Sequence, residues 1–515
     1  MGKLLPTFKK AIIDEIMDNI SSNTSQYYVF ASNPVAYTGN TPVLTGDDYS
    51  NYFVNDWNLL FGKRLALVDI IPAVHNHQWT SNTVYNRYDN RNEELYSSNT
   101  GFYVITEPNI VGGSYNVFKC IDNANGSPST IKPETIQTST FETSDGYKWR
   151  YVTSVTNSNY VKFATDDYFP VYVNTAITTA AQTHSGIEVL MIANGGSGYA
   201  CHHTGNIVSV ISSTLVQIEN NASVDNDFYT KSSMYIYNTT SATAQLFGIT
   251  RYVSNTIGNW VYLDGEANTQ NIEPNETHYI ISPKVVISTD GDTQPSAYCT
   301  VNTTSNSIDT IVLLDFGSNI QRANVAIQSN TIYGSGANIY PIVPPPGGHG
   351  YDPASELDVK ALAVGFNFTG SQSNNIVTAN VLYNKIGLFK NPHYLNVNGT
   401  KGNAYFVNTF SQVLKGDLSS ASGLFTVEDQ VVGNTSGAIG TVIFSNSSQI
   451  YLVGDKNFTD GEYITSANGK VSAALSINTL GDIYVKDIKP LYVQNINNIN
   501  RSGDQTESFK LIIQV

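Results

Sequence analysis

Phe509-Lys510-Leu511-Ile512-Ile513-Gln514-Val515 closes the chain. Phe509, Leu511, Ile513 and Val515 alternate with Lys510, Ile512 and Gln514, a period of two that predicts a half-buried strand running to the last residue. The C-terminus is thus expected to be built into the fold. Working back, Tyr27-Tyr28-Val29-Phe30 reads as a strand, and Arg64-Leu65-Ala66-Leu67-Val68 as a second one ended by Pro72. Phe102-Tyr103-Val104-Ile105 and Tyr115 to Cys120 bracket Gly112-Gly113, the pattern of a hairpin. Asp145-Gly146 is a turn before Tyr147-Lys148-Trp149-Arg150-Tyr151-Val152. These segments predict a mostly β protein.

Composition agrees and excludes other classes. The 515 residues suffice for about three domains at roughly 100–200 residues each. Only 13% of them are charged, about half the usual share of about 25%, and 42 acids against 27 Lys and Arg leave a formal −15. Asn is about one residue in nine, and there are 33 Tyr. Disorder needs high charge and low hydrophobicity, whereas 41% of this chain is hydrophobic. Nucleic acid and anionic membranes need clustered Lys and Arg, so neither is an expected partner. Cys120, Cys201 and Cys299 are too few and too scattered for a disulfide framework. The start of the chain lacks the apolar run of a signal peptide, acids arriving by Asp14, and no window of about 18 apolar residues predicts a membrane span. Folding in a reducing cytosol is the expectation.

Several segments mark the organisation. Phe8, Ile12, Ile13, Ile16, Met17 and Ile20 recur at helical spacing after Pro6, predicting an N-terminal helix that caps its own domain or docks on a neighbour. From about residue 183 charge thins, and Ile187–Ile192 runs into Asn194-Gly195-Gly196-Ser197-Gly198, a strand-then-turn pattern that returns at 311–318 and hints at a duplicated β unit. Phe425-Thr426 through Glu428, Val431 and Gly437 resembles Phe458-Thr459 through Glu462, Ile464 and Gly469, an offset of 458 − 425 = 33 residues. Two copies predict a small β module; Phe228 to Ala244 reads as a degenerate third relative. Pro344-Pro345-Pro346-Gly347-Gly348-His349-Gly350 reads as a stiff boundary, followed by an Asp352-Pro353 helix start and the strand Ala363–Phe368.

Signatures of chemistry are sparse. The chain has no phosphate-binding loop, no dinucleotide fingerprint, no nucleophile elbow and no His-Glu-x-x-His. Cys201-His202-His203 is the best metal candidate, but on a strand only Cys201 and His203 share a face, and His184 adds no spacing argument. His75-Asn76-His77 with Trp79 is a weaker pair, and Asp290-Gly291-Asp292 lacks the remaining ligands of a calcium loop. Asp47-Asp48, Glu93-Glu94 and Asp166-Asp167 offer paired carboxylates of the kind a glycosidase uses, though neighbouring acids are commonly solvated turn residues. Tyr27-Tyr28 and Trp149 with Tyr151 suit sugar stacking or ordinary sheet packing. No catalytic, cofactor-binding or metal residue is assigned, and no cofactor is expected.

Five blocks in order carry a resemblance. They are Gly62-Lys63-Arg64 through Ile70-Ile71-Pro72, Trp79 and Tyr85-Asn86-Arg87-Tyr88-Asp89; Val117 to Asp122; Asp145 to Tyr151; Ile386-Gly387-Leu388-Phe389-Lys390-Asn391-Pro392; and Asp504-Gln505-Thr506-Glu507 leading into the final strand. Together they resemble the baseplate wedge subunit of contractile-tailed, T-even-type bacteriophages, the gene-product-eight family. The resemblance covers about 26–182, 350–395 and 481–515. It implies a discontinuous β-sandwich, a homodimer, other wedge subunits as partners, a place in the virion's tail baseplate after assembly in the host cytoplasm, and no enzymatic activity. The expected organisation is then an N-terminal helical arm at 1–25, a sandwich core at 26–182, 350–395 and 481–515, and inserted β modules at 183–349 and 396–480. A carbohydrate-binding or depolymerising tail protein is the alternative, with the sugar site in the insertions; a surface adhesin is disfavoured by the missing signal.

Overall fold

The computed structural model describes residues 4–32, 59–96, 101–183, 185–328, 334–368, 381–396, 399–454, 458–488, 490–502 and 505–515. It is mostly β, with an N-terminal helix Pro6–Ser21 that starts on a proline in its first turn. Two compact units share the chain: Met1–Val74, Ser158–Pro170 and Val359–Val515 form one, His75–Asn157 and Val171–Asp358 the other.

The first unit holds a β-sandwich. Among the described residues one sheet orders the strands Thr409–Ser411, Leu59–Arg64, Tyr27–Ser32, Val381–Lys390 and Pro490–Arg501; its mate orders Glu507–Gln514, Ala361–Phe368, Ile70–His75 and Tyr168–Pro170. Aromatic rings close the gap, Phe61 meeting Phe368 edge-on at 4.9 Å and Tyr383 meeting Phe509 at 6.1 Å. The terminal alternation is realised as Glu507–Gln514, paired antiparallel with Ala361–Phe368. The strand expected at 64–68 is not there. The chain leaves its strand at Arg64 and makes a helical turn over Leu67–Asp69, because the Asp69 carboxylate accepts the Ala66 N–H at 3.2 Å and stabilises the turn. The next strand, Ile70–His75, then runs through Pro72, which pairs with Leu362.

The 33-residue repeat builds a closed six-stranded barrel in the same unit. Its halves are Leu414–Ser419, Gln430–Gly433, Ile439–Ser445 and Gln449–Gly454, Tyr463–Ser466, Ser472–Thr479. The first strand of each half pairs with the third strand of the other, so neither half closes alone. Hydrogen bonds repeat with the offset: Glu428 N–H donates to Val442 O and Gly461 N–H to Leu475 O, at 2.7 and 2.8 Å. The structural equivalents are therefore Glu428 with Gly461, both at positive φ, and Asp429 with Glu462; the sequence match of Glu428 to Glu462 is off by one. Phe425 and Phe458 plug the core at equivalent points. The supposed third copy at 228–244 lies in a different, seven-stranded sheet.

The barrel enters and leaves the sandwich at one place. Ser411 N–H donates to the Asp482 carboxylate at 2.7 Å, Asp482 N–H donates to Ser411 O at 2.9 Å, and the Gln412 amide bonds both N–H and C=O of Ile483.

In the second unit Tyr103–Thr106, Tyr115–Asn123, Tyr147–Val155 and Phe141–Glu142 make one sheet, its hairpin turning at Gly112. The seven-stranded sheet spans His203–Ser212 to Ala323–Gln328 in chain. The Asn194–Gly198 stretch does not end the strand where expected: Val189–Ser197 runs on through Gly195 and Gly196, and Gly195 is small because a Cβ there would come 2.4 Å from Ile308 O. This strand pairs with Ser335–Ile342 while Ile308–Asp315 pairs with Ser296–Val301, so the two similar segments hold different places. Residues 344–350 are no boundary either. They are packed inside the unit, where a Cβ on Gly348 would meet Ala181 O at 2.2 Å, and the change of unit falls at 358/359.

Deleting 413–480 and joining Gln412 to Gly481 through three Gly/Ser residues is expected to leave the remaining chain folded, since the clasp at 411–412 and 482–483 holds without the barrel. A cooperative thermal transition with a β circular-dichroism spectrum checks it; loss of the transition contradicts it.

Candidate functional site

The side chains most suited to chemistry sit where sequence reasoning did not look. Lys119 and Arg150 stand directly opposite each other on neighbouring strands, Tyr115–Asn123 and Tyr147–Val155. Both are buried, Lys119 0% and Arg150 1% exposed. Each takes a carboxylate from a distant segment: Lys119 Nζ donates to Glu356 Oε1 at 2.8 Å, and Arg150 to Glu188 Oε1 at 2.8 Å. His349 Nδ1 lies 3.2 Å from Lys119 Nζ and 3.0 Å from Glu356 Oε1, and Gly350 N–H donates to Glu356 Oε2 at 2.6 Å. The ammonium also lies 3.3 Å from the centre of the Tyr88 ring, a cation–π contact.

Burial sets the protonation here. Loss of water pulls Lys119 down to about 8 against the attraction of Glu356. Burial works to raise the Glu356 carboxyl, but Lys119 and then His349 bring it down to about 2. His349 is lowered by burial and by the neighbouring ammonium, so it is neutral. A lysine near neutrality in a cleft would be a base or a nucleophile. This one is sealed, and its partners tie the 343–358 segment onto the sheet. The available signal was Val117-Phe118 and Cys120-Ile121 around Lys119: apolar residues on both faces leave a lysine no exposed side.

The residues singled out from sequence are dispersed. Cys201 donates to Phe228 O at 3.1 Å, His202 Nε2 lies 3.3 Å from Asn306 Oδ1, and His203 stacks on Tyr279 and bonds its hydroxyl at 2.8 Å. Three partners in three places do not converge on a metal, and among the described residues no cluster of His, Cys, Asp or Glu does. His75 and His77 lie 5.8 Å apart with His77 against Tyr103, and Trp79 donates to Ser129 Oγ. Asp290 accepts the N–H groups of Gln321 and Arg322 at 3.0 and 2.8 Å, which lowers its carboxyl, and Asp292 accepts from Asn319. Both clasp a loop. Glu93-Glu94, at the start of the short helical turn Glu93–Tyr96, and Asp166-Asp167, at a bend, are all exposed. Tyr28 is buried on Phe389, and Trp149 stacks on Tyr147 in a core, so neither presents a face to a sugar. Asp47-Asp48, His184 and Asp504 lie outside the described residues. The three cysteines are buried thiols outside any disulfide.

Two surface features remain. A cleft of about 870 Å³ opens beside one end of the barrel, lined among others by Gln412, Ser436, Phe458, Asp460, Asn478 and Tyr484. Large apolar groups also face solvent: Leu4 and Leu5 just before the N-terminal helix, Phe8 in its first turn, and Ile110 and Val111 at the tip of the hairpin, Ile110 being 74% exposed.

Removing one partner of a sealed pair leaves the other charge unpaired. Glu356→Gln is expected to cost about 3–5 kcal/mol, and Lys119→Met with Glu356→Leu to recover much of it, read from denaturant midpoints. The pH dependence follows. Glu356 titrates at about 2 in the fold and near 4.5 in its ordinary state. Its contribution is therefore present above about pH 4.5 and lost as pH falls toward 2. Lys119, lowered from 10.5 to about 8, releases its proton earlier in the fold, so stability rises between pH 8 and 10.5. Both dependences should vanish in the double variant.

No protein-family model matches the chain, and no curated protein shows significant similarity to it.

Proposed function

We propose that this chain is a structural subunit of a contractile phage tail, a homodimeric component of the baseplate wedge acting through interfaces with other wedge subunits. The five ordered sequence blocks support the reading. The observation that carries it is the set of aliphatic side chains held out to solvent at the helix start and hairpin tip: a residue such as Ile110 gains by burial against another protein. The groups with chemical potential are spent internally, on Lys119–Glu356, Arg150–Glu188 and the carboxylate clasps. Sparse charge suits permanent contact, because desolvating ions is costly.

The cleft beside the barrel favours the second reading, a carbohydrate-binding or depolymerising tail protein. It joins neutral hydrogen-bonding groups to Phe458 and Tyr484.

An electron-microscopy map of the intact particle separates them. The wedge reading expects density for this chain in the baseplate ring. Density in the tail fibres, or glycan cleavage by the isolated protein, overturns it.

A further inference from the structure

Residues 183–349 hold only four Lys or Arg: Lys231, Arg251, Lys284 and Arg322. Lys284 pairs with Asp264 at 3.1 Å, and Arg322 donates its backbone N–H to Asp290 at 2.8 Å. Lys231 and Arg251 are exposed and, among the described residues, have no carboxylate within ion-pair distance. Both line one cavity of about 420 Å³, which Asp227, Thr230 and Thr250 complete. Small-molecule pockets span roughly 300–1,000 Å³.

The backbone is bent to build this cavity. The strand Thr243–Asn255 shifts register against Gly258–Leu263 between Ile249 and Arg251, so Thr250 and Arg251 are both exposed where a regular strand would alternate. Asp227 and Lys231 take φ of 59° and 71°, left-handed backbone that is uncommon for a lysine. The turn between them is tied across the bulge: Asp227 N–H donates to Tyr252 O at 2.8 Å, and Lys231 N–H to Ile249 O at 2.9 Å. The Arg251 guanidinium lies 5.5 Å from the centre of the Tyr262 ring on the neighbouring strand. The two cations are thus placed before any ligand arrives.

The hydroxyls narrow the ligand. Thr230 Oγ1 donates to Asp227 Oδ1 and Thr250 Oγ1 donates to Tyr262 O, each at 3.1 Å. A hydroxyl that has given its proton offers only lone pairs. The cavity therefore presents two cations for an anionic group and two acceptors for hydroxyl donors. Sulfate or acetate would meet the cations and bring no donor to the threonines, and the Asp227 carboxylate opposes a second negative charge. We propose that this cavity binds a sugar bearing one carboxylate, the uronic acid of a saccharide. Its carboxylate lies between Lys231 and Arg251, where charge-assisted hydrogen bonds are strongest, and its hydroxyls donate to Thr230 and Thr250. The site shares no residue with the cleft beside the barrel, and it goes beyond the wedge reading without resting on it.

The test is ligand binding by the full-length protein, read by saturation-transfer NMR with sodium D-glucuronate, D-glucose and sodium acetate at equal ionic strength. Glucuronate is expected to bind about tenfold more tightly than glucose, which lacks the anion, or acetate, which lacks the hydroxyls. Arg251→Gln and Lys231→Asn, asparagine tolerating the left-handed backbone, are each expected to weaken glucuronate about tenfold with melting unchanged. Thr250→Val is expected to weaken glucuronate and leave acetate as it was. Lys284→Gln, which removes a cation outside the cavity, is expected to change neither. Absence of glucuronate binding, equal binding of glucose or acetate, or wild-type binding by the Arg251 and Lys231 variants overturns the site. An equal loss in Lys284→Gln also overturns it, since it marks a diffuse attraction for anions. None of these outcomes bears on where the chain sits in the particle, so the site and the wedge reading fail separately.

Discussion

Lys119 and Arg150 lie side by side in a closed interior, and two cations there are tolerable only because Glu356 and Glu188 arrive from elsewhere in the chain. A buried ammonium without a partner is expensive, and the low-dielectric surroundings that make it so also strengthen the pairing. The arrangement explains why residues 75–157 and 171–358 form one compact unit although other segments interrupt them. The sheet supplies the positive groups and the later segment the negative ones. Either alone would carry uncompensated charge into its core.

The same economy runs through the loops. Among few charged residues, many carboxylates bind backbone N–H groups. Asp145 accepts from Thr130 and Ile131, at 2.7 and 3.0 Å. Glu462 accepts from Thr435, Ser436 and Thr459 across the two halves of the barrel, which holds its carboxyl low despite burial. Asparagine does this work without charge. Asn238, Asn255, Asn302 and Asn446 each accept N–H groups two and three residues ahead, the Asx geometry that stabilises tight turns. Asn82, Asn275, Asn306 and Asn319 take positive φ, which asparagine tolerates better than most residues. The abundance of Asn is the chemistry of a β protein with many short connections.

Local periodicity was legible in the sequence and long-range pairing was not. The N-terminal helix, the terminal strand, the hairpin at Gly112 and the 33-residue repeat each depend on residues close together. Two misreadings share one cause. Gly195, and the 344–350 segment through Gly348, look like turn or linker chemistry, yet each glycine is small because another backbone passes within contact distance. Glycine signals a missing Cβ, and only the tertiary neighbour says whether freedom or closeness needs it. Lys119 was overlooked because a charged residue on a strand reads as outward-facing. The candidate metal and acid groups were misleading for the converse reason: adjacency in sequence carried Cys201, His202 and His203 to different partners.

The barrel shows how such a chain tolerates an insertion. Its halves exchange their third strands, so each contributes an incomplete wall and the core at Phe425 and Phe458 closes only when both are present. An element with that property folds as a whole or not at all. Its ends emerge beside each other, where Ser411 and Asp482 bond reciprocally. The sandwich therefore needs only to hold two neighbouring residues together, which Gln412 does by bonding both backbone groups of Ile483. A module so attached can change its outer loops without disturbing the strands that carry it, because its core is separate from theirs.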